Sequence, residues 1–246
     1  MPTRLTVFAF GVATYLFFGI VVLWSVVFVG DLGFLKTVDS PGYPTPRGQA
    51  LAIDVALILL FGVQHSVMAR GSFKAWLARV VPEPAVRSIY VLASSMTLAL
   101  IYLWWQPVPI AIWNHNDGWP HTVLVALFWT GWAMTLASTF LIDHFDLFGL
   151  RQVALFVRGV PYTPVPFKQS WIYKRVRHPL MASFLIAFWA TPRMTVGHFV
   201  FALGMTIYIL VGVWFEERDL VKWHGAAYGD YRKRVPMLLP WRSPKP

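Results

Sequence analysis

Apolar residues along this chain come in long blocks, not in alternation or narrow stripes. Leu5 to Val29 is a run of 25 residues without a charge. That exceeds the about 7–15 apolar residues of a signal-peptide core and meets the roughly 20 that a bilayer-spanning helix needs. Ala50 to Met68 is a second block, interrupted by Asp54, Gln64 and His65; Ser88 to Gln106 is a third and His121 to Ile142 a fourth. After a polar connector comes Pro179 to Ala190, about 12 residues and too short to cross alone. Thr191-Pro192-Arg193 turns the chain, and Thr195 to Phe215 forms the last block. The last two blocks predict a helical hairpin, with Pro179 at the first helical position, where a missing N–H is harmless. The pattern predicts an all-α, polytopic integral membrane protein with five to six transmembrane helices, including this C-terminal hairpin. No internal repeat or low-complexity segment appears. The 30–49 loop, rich in Pro and Gly, is an ordinary external connection, and Ser243 to Pro246 is expected to be disordered.

Composition supports this reading. The chain is 57% hydrophobic and 13% charged, where soluble domains carry about 25% charged residues. Its 13 Trp, 9 Tyr and 19 Phe suit lipid-facing and interfacial surface, and Trp104, Trp105, Trp113 and Trp119 are expected to form an interfacial belt. The absence of Cys excludes disulfides, zinc-thiolate sites, iron–sulfur clusters and cysteine nucleophiles. The formal charge of +10 invites a nucleic-acid partner, but no nucleic-acid motif stands beside it. Basic residues in membrane proteins gather in cytoplasmic loops instead. Of the 21 Lys and Arg, 18 fall at Arg4 and in segments 69–87, 143–178 and 216–246; Lys36, Arg47 and Arg193 fall in the intervening loops. Both termini are therefore expected to be cytoplasmic, with segments 143–178 and 216–246 on that side.

Those segments hold the densest chemistry. Tyr173-Lys174-Arg175-Val176-Arg177-His178-Pro179 precedes the hairpin; Glu216-Glu217-Arg218-Asp219-Leu220 follows it, then Gly225, Tyr228, Gly229, Tyr231, Pro236 and Pro240. A hairpin returns to the face it left, so Arg177 and His178 are expected near Glu216 and Glu217, with two tyrosines supplied by the tail. A zwitterionic amino-acid group needs such carboxylate and cationic partners. A sulfonium tolerates aromatic faces. From spacing alone, an Arg177–Glu217 ion pair that merely closes the hairpin explains the residues equally well.

Over about 70 residues this stretch resembles the C-terminal core of the isoprenylcysteine carboxyl methyltransferase and phospholipid methyltransferase superfamily. The shared pattern is Tyr-three residues-Arg-His-Pro, a hairpin, Glu-Glu-two residues-Leu, Gly-two residues-Tyr-two residues-Tyr and a closing Pro; every position is filled. One departure is Met181, where the family usually has Tyr. The resemblance implies S-adenosylmethionine as cofactor, held by Tyr173, Arg177, His178, Pro179, Glu216, Glu217, Tyr228 and Tyr231. It implies a single membrane-embedded methyltransferase domain over residues 1–246, with its cofactor-binding core at about 143–240.

Two further motifs end blocks two and four: Gln64-His65-Ser66-Val67-Met68-Ala69-Arg70, and Asp143-His144-Phe145-Asp146 running on to Arg151-Gln152. Topology brings both toward the cytoplasmic face. With them the resemblance extends over roughly residues 50–240, to the branch of bacterial methanethiol S-methyltransferase and nuclear-envelope nurim. That branch implies a small thiol substrate, methanethiol converted to dimethyl sulfide, in a bacterial inner membrane, with membrane lipid as surroundings.

Thiol chemistry assigns roles. His65 or His144 would accept the thiol proton, Asp143 or Asp146 would orient that imidazole, and Arg151 would stabilise a thiolate. The bland alternative is that each histidine is a hydrogen-bonded anchor. Two other functions stay open: methylation of a lipid or prenylcysteine carboxylate, which needs no base, and a non-catalytic nurim-like structural role. A transporter is disfavoured by the lack of repeated halves. Asp54 reads as a packing contact or a polar cavity residue. His115 and His121 read as solvated, and His198 as external and far from the cofactor. His224 lies near Tyr228 and is a possible cofactor contact. No metal-ligand spacing such as His-Glu-two residues-His occurs, so no metal is expected.

Overall fold

The computed structural model describes residues 3–42, 44–165 and 172–240; the Ser243 to Pro246 tail lies outside them. Its elements in chain order are α1 (Arg4–Gly30), α2 (Arg47–Ala69), α3 (Gly71–Leu77), a 3-10 turn (Glu83–Ala85), α4 (Val86–Trp104), β1 (Ala111–Asn114), α5 (Gly118–Ile142), α6 (His144–Leu147), α7 (Leu150–Val157), α8 (Pro179–Trp189), β2 (Arg193–Thr195), α9 (Val196–His224) and α10 (Ala226–Arg234). Five helical stretches are long and apolar enough to cross a membrane: Arg4–Gly30, Arg47–Ala69, Glu83–Trp104, Gly118–Ile142 and Val196–Trp223. With the shorter apolar helix Pro179–Trp189 they make the all-α, polytopic integral membrane protein that the pattern predicts.

The chain divides into two units. The first holds residues 1–110, 143–166 and 195–200. In it, α1 starts from Thr3, whose hydroxyl accepts the Thr6 N–H at 3.2 Å. Helices α1 and α2 both pack on α4, and α7 packs on α1 and on the 3-10 turn. Val7, Ala85 and Val153 form the seam between these last elements. Gly11 makes the approach of α7 possible, because a Cβ there would stand 2.5 Å from Val153 Cγ2. Farther along α1, Ser25 meets the Tyr102 hydroxyl at 2.6 Å, and Phe28 packs beside the same ring. Asp54 is fully buried. Its Oδ1 accepts the Gln106 N–H at 2.8 Å, just past the end of α4. Asp54 thus ties α2 to the segment after α4 through one carboxylate oxygen.

The second unit holds residues 111–142, 167–194 and 201–246. Helices α5 and α8 run against each other closely. Gly131 sets that approach, since a Cβ would lie 2.7 Å from the Ala187 nitrogen. Thr135 and Ser183 hydroxyls meet across it at 2.9 Å, which satisfies two polar groups that lipid would leave stranded.

Two boundaries differ from the pattern. The helix expected to stop at Phe215 continues to His224. Residues 216–224 contain good helix formers and neither Gly nor Pro, and the helix ends only at Gly225, whose φ of +57 suits glycine. The aromatic belt is also smaller than expected. Trp104 and Trp119 are 62% and 77% exposed, but Trp105 is wholly buried, because the residue after α4 turns inward beside Phe28.

Candidate active site

In the second unit, the approach to α8 and the far end of α9 converge as the hairpin requires. His178 stands at the cap of α8 and Pro179 at its first position. Arg177 directs Nε to Glu217 Oε1 at 2.8 Å and Nη2 to the same oxygen at 2.7 Å. Its Nη1 donates to the carbonyls of Arg232 and Val235 at 2.7 and 2.5 Å. His178 Nε2 lies 3.2 Å from Glu217 Oε1, and Arg232 Nε lies 3.3 Å from Oε2. The backbone joins in, with Arg177 N–H donating to Pro236 O and His178 N–H to Met237 O at 3.0 and 3.1 Å. Glu217 therefore sits in a complete cage of donors, and the cage ties the tail beyond α10 to the hairpin.

Around that cage are groups with spare capacity. The Glu216 side chain is 51% exposed and faces His178 Nδ1 at 3.6 Å, and the Arg232 side chain is 52% exposed. Tyr228 and Tyr231, buried on α10, lie with ring centroids 5.7 Å apart. Tyr231 donates its hydroxyl to the Tyr173 carbonyl at 2.6 Å. Burial pushes the phenols of Tyr173, Tyr228 and Tyr231 up to about 12, helped at Tyr173 by Glu216 and at the other two by Glu217, with Arg177 opposing at Tyr228 and Tyr231. All three are neutral at physiological pH. An exposed carboxylate, an exposed guanidinium and neutral aromatic rings are groups able to take an ammonium, a carboxylate and a further aromatic ring.

In the first unit, the residues after α5 form a separate polar group. Asp143 caps α6, its Oδ1 accepting the Asp146 N–H at 3.0 Å. Asp146 takes Arg151 Nη1 on Oδ1 at 2.8 Å and the Tyr162 hydroxyl on Oδ2 at 3.3 Å. Arg151 also donates to Thr163 O at 2.9 Å and lies over the Tyr162 ring. His144 Nε2 meets the Tyr15 hydroxyl at 2.6 Å. Burial lowers the His144 imidazole below its ordinary value, with Asp143 opposing, so it is neutral at pH 7. His65 is placed elsewhere, between α2 and α4. Its Nε2 meets the Tyr90 hydroxyl at 2.5 Å and its Nδ1 the Ser94 hydroxyl at 3.0 Å.

Tyr15, Tyr90, Tyr162 and Arg232 were not singled out from the sequence. Tyr15 sits in an uncharged block where an aromatic residue reads as a lipid contact. Only Arg232, in the basic run after Tyr231, carried a local signal. Of the remaining histidines, His115 is exposed, His121 is half-buried in the first turn of α5 instead of solvated on a loop, and His198 is buried; the side chain of His224 lies outside the described ones. Among the described residues, no group of three or more His, Cys, Asp or Glu is disposed to hold a metal ion.

The family described as NnrU protein matches residues 55–238. Methanethiol S-methyltransferase of Mycobacterium tuberculosis is 50% identical over 232 residues, covering 94% of this chain and 95% of that protein. Methanethiol S-methyltransferase 2 of Bradyrhizobium diazoefficiens is 47% identical, covering 98% and 92%. Nurim of Sus scrofa is 29% identical, covering 69% and 68%. No solved structure matches the chain.

Proposed function

The chain belongs to the NnrU protein family, in the branch of the methanethiol S-methyltransferases and nurim, and from that premise we propose that it methylates a small thiol, converting methanethiol to dimethyl sulfide. The observation that carries the reading is identity at half of all positions with a named methanethiol enzyme, across nearly the whole of both chains. The more distant match to nurim gives a purely structural role less support.

S-adenosylmethionine, when bound, would supply an electrophilic methyl carbon to a thiolate, with the neutral thioether as leaving group. Glu216 would pair the cofactor's ammonium and Arg232 its carboxylate, while Tyr173, Tyr228 and Tyr231 would line the site with neutral aromatic rings. Arg177, His178 and Glu217 hold these groups in place through the cage, with Pro179 starting the helix that carries it. His144 is the better candidate for the proton acceptor, because its own segment supplies the carboxylates Asp143 and Asp146. The Asp146–Arg151 pair steadies the turn that presents His144. Both termini are cytoplasmic in this reading, supported by the 18 basic residues on one side against three on the other. A bacterial inner membrane is the setting that the bacterial relatives favour.

The test is methyl transfer by the purified full chain from labelled S-adenosylmethionine to a panel of thiols, lipids and prenylcysteine analogues. Label entering methanethiol is the expected result. Label entering only a lipid or a prenylcysteine carboxylate would replace the thiol assignment, and none entering any acceptor would end the enzymatic one.

A further inference from the structure

Tyr15 lies midway along α1, inside the long uncharged block, and a hydroxyl there needs a partner within the protein. It finds one 129 residues away, in the Nε2 of His144 at 2.6 Å. The surroundings of this pair are aromatic. Phe145 and Phe148 set their rings edge-on to the imidazole, with centroids 5.3 and 5.0 Å away. Phe148 is itself stacked on Phe18 at 4.0 Å. Tyr15 meets the imidazole ring edge-on at 5.7 Å. Sulfur makes favourable contacts with aromatic rings at about 5 Å, whereas a carboxylate loses hydration against such walls. The chemistry of this surround therefore fits a small apolar thiol.

The same geometry constrains how a proton reaches the imidazole. Nε2 is taken by the Tyr15 hydroxyl, and phenylalanine rings flank the imidazole. We infer that Tyr15 is a catalytic proton relay: the S–H proton of a small thiol passes to the Tyr15 oxygen as the Tyr15 hydroxyl proton passes to His144 Nε2. The electron pair of the S–H bond stays on sulfur, leaving a thiolate. Tyr15 is neutral before and after, and His144 becomes an imidazolium that returns its proton to solvent once product has left. Among the charged groups near His144 is Asp143, at the cap of its own helix; Asp146, on the same short helix, is joined to Arg151 of α7 at 2.8 Å. Asp143 favours the imidazolium, and Asp146 balances the charge of Arg151.

The inference rests on the thiol-methyltransferase reading above, and the test separates the two. Wild type, Tyr15→Phe, His144→Ala and the double variant are assayed as full chains with methanethiol and labelled cofactor from pH 6 to 10. Tyr15→Phe is expected to lower kcat at pH 7 by about 10²–10⁴-fold, the usual cost of losing general-base help. That deficit should shrink as rising pH ionises the thiol unaided. The double variant should be no slower than His144→Ala, because the two residues act as one unit. Cofactor affinity by calorimetry should be unchanged in Tyr15→Phe. Replacing Tyr15 by 3-fluorotyrosine preserves ring and hydroxyl, and so keeps the fold; kcat should still shift while the melting temperature does not. Normal turnover in Tyr15→Phe, a deficit equal at every pH, or an unaltered kcat with fluorotyrosine would overturn the relay and leave thiol methylation standing. A wild-type protein that methylates no thiol would overturn both.

Discussion

Arg177 and Glu217, 40 residues apart in sequence, meet so that Nε and Nη2 of the guanidinium share one carboxylate oxygen at 2.8 and 2.7 Å. With Arg177 Nη1 committed to the carbonyls of Arg232 and Val235, the pair joins three pieces of chain: the start of α8, the last third of α9 and the C-terminal end of α10. This gives the ion pair a holding role, while Glu216, its neighbour, keeps an exposed carboxylate.

The two glutamates should therefore separate experimentally. Glu216→Gln is expected to weaken S-adenosylmethionine affinity at least tenfold with little change in melting temperature. Glu217→Ala should weaken binding too, but by loosening the tail. Removing one partner of a buried pair costs roughly 3–5 kcal/mol, so the melting temperature should fall markedly. Calorimetry paired with thermal melting distinguishes them; equal melting losses in both variants would contradict the division of roles.

His65 should behave as an anchor. His65→Ala leaves the Tyr90 and Ser94 hydroxyls without their shared partner at the α2–α4 contact, at a cost of about 1–3 kcal/mol. Its turnover deficit, if any, should be the same at every pH. A deficit confined to low and neutral pH would instead make His65 a base.

High pH should release the tail. The folded-state phenols of Tyr173, Tyr228 and Tyr231 stand at about 12, above the ordinary value of about 10. The folded form thus holds protons that the unfolded form gives up between those values. The stabilisation is complete below pH 10 and is lost as pH rises from 10 to 12. Thermal melting followed across that window, with tyrosinate absorbance alongside, should show stability falling as pH climbs; a flat profile would mean the three phenols are not buried as described.

Gly131→Ala should strain the α5–α8 contact. The new methyl would stand 2.7 Å from the Ala187 backbone nitrogen, and backbone cannot swing aside as a side chain can. Overpacking of this kind costs about 1–3 kcal/mol. Gly19→Ala, with nothing within 4 Å of the added methyl, is the control, and equal melting temperatures for the two would refute the close approach.

The spanning blocks were legible in the chain alone because lipid imposes its demand on every residue of a segment at once. About 20 apolar residues are needed whatever the neighbours are, so Leu5–Val29 declared itself without any partner. The hairpin mouth was legible for a related reason: a turn between two helices returns the chain, and Arg177 with Glu217 could be paired from connectivity. What connectivity left open was orientation about a helix axis. Successive helical residues point about 100° apart, so tertiary packing decided that Glu217 is caged and Glu216 exposed, and likewise that Trp105 is buried while Trp104 is not. The extension of α9 to His224 was concealed by its charges, which read as a loop but are good helix formers stopped only at Gly225. The pairing of Tyr15 with His144 had no local trace at all, because the bond joins residues 129 positions apart. The packing of α7 against α1, made possible by the missing side chain of Gly11, and the stacking of Phe148 on Phe18 bring the turn that carries His144 to the helix that carries Tyr15.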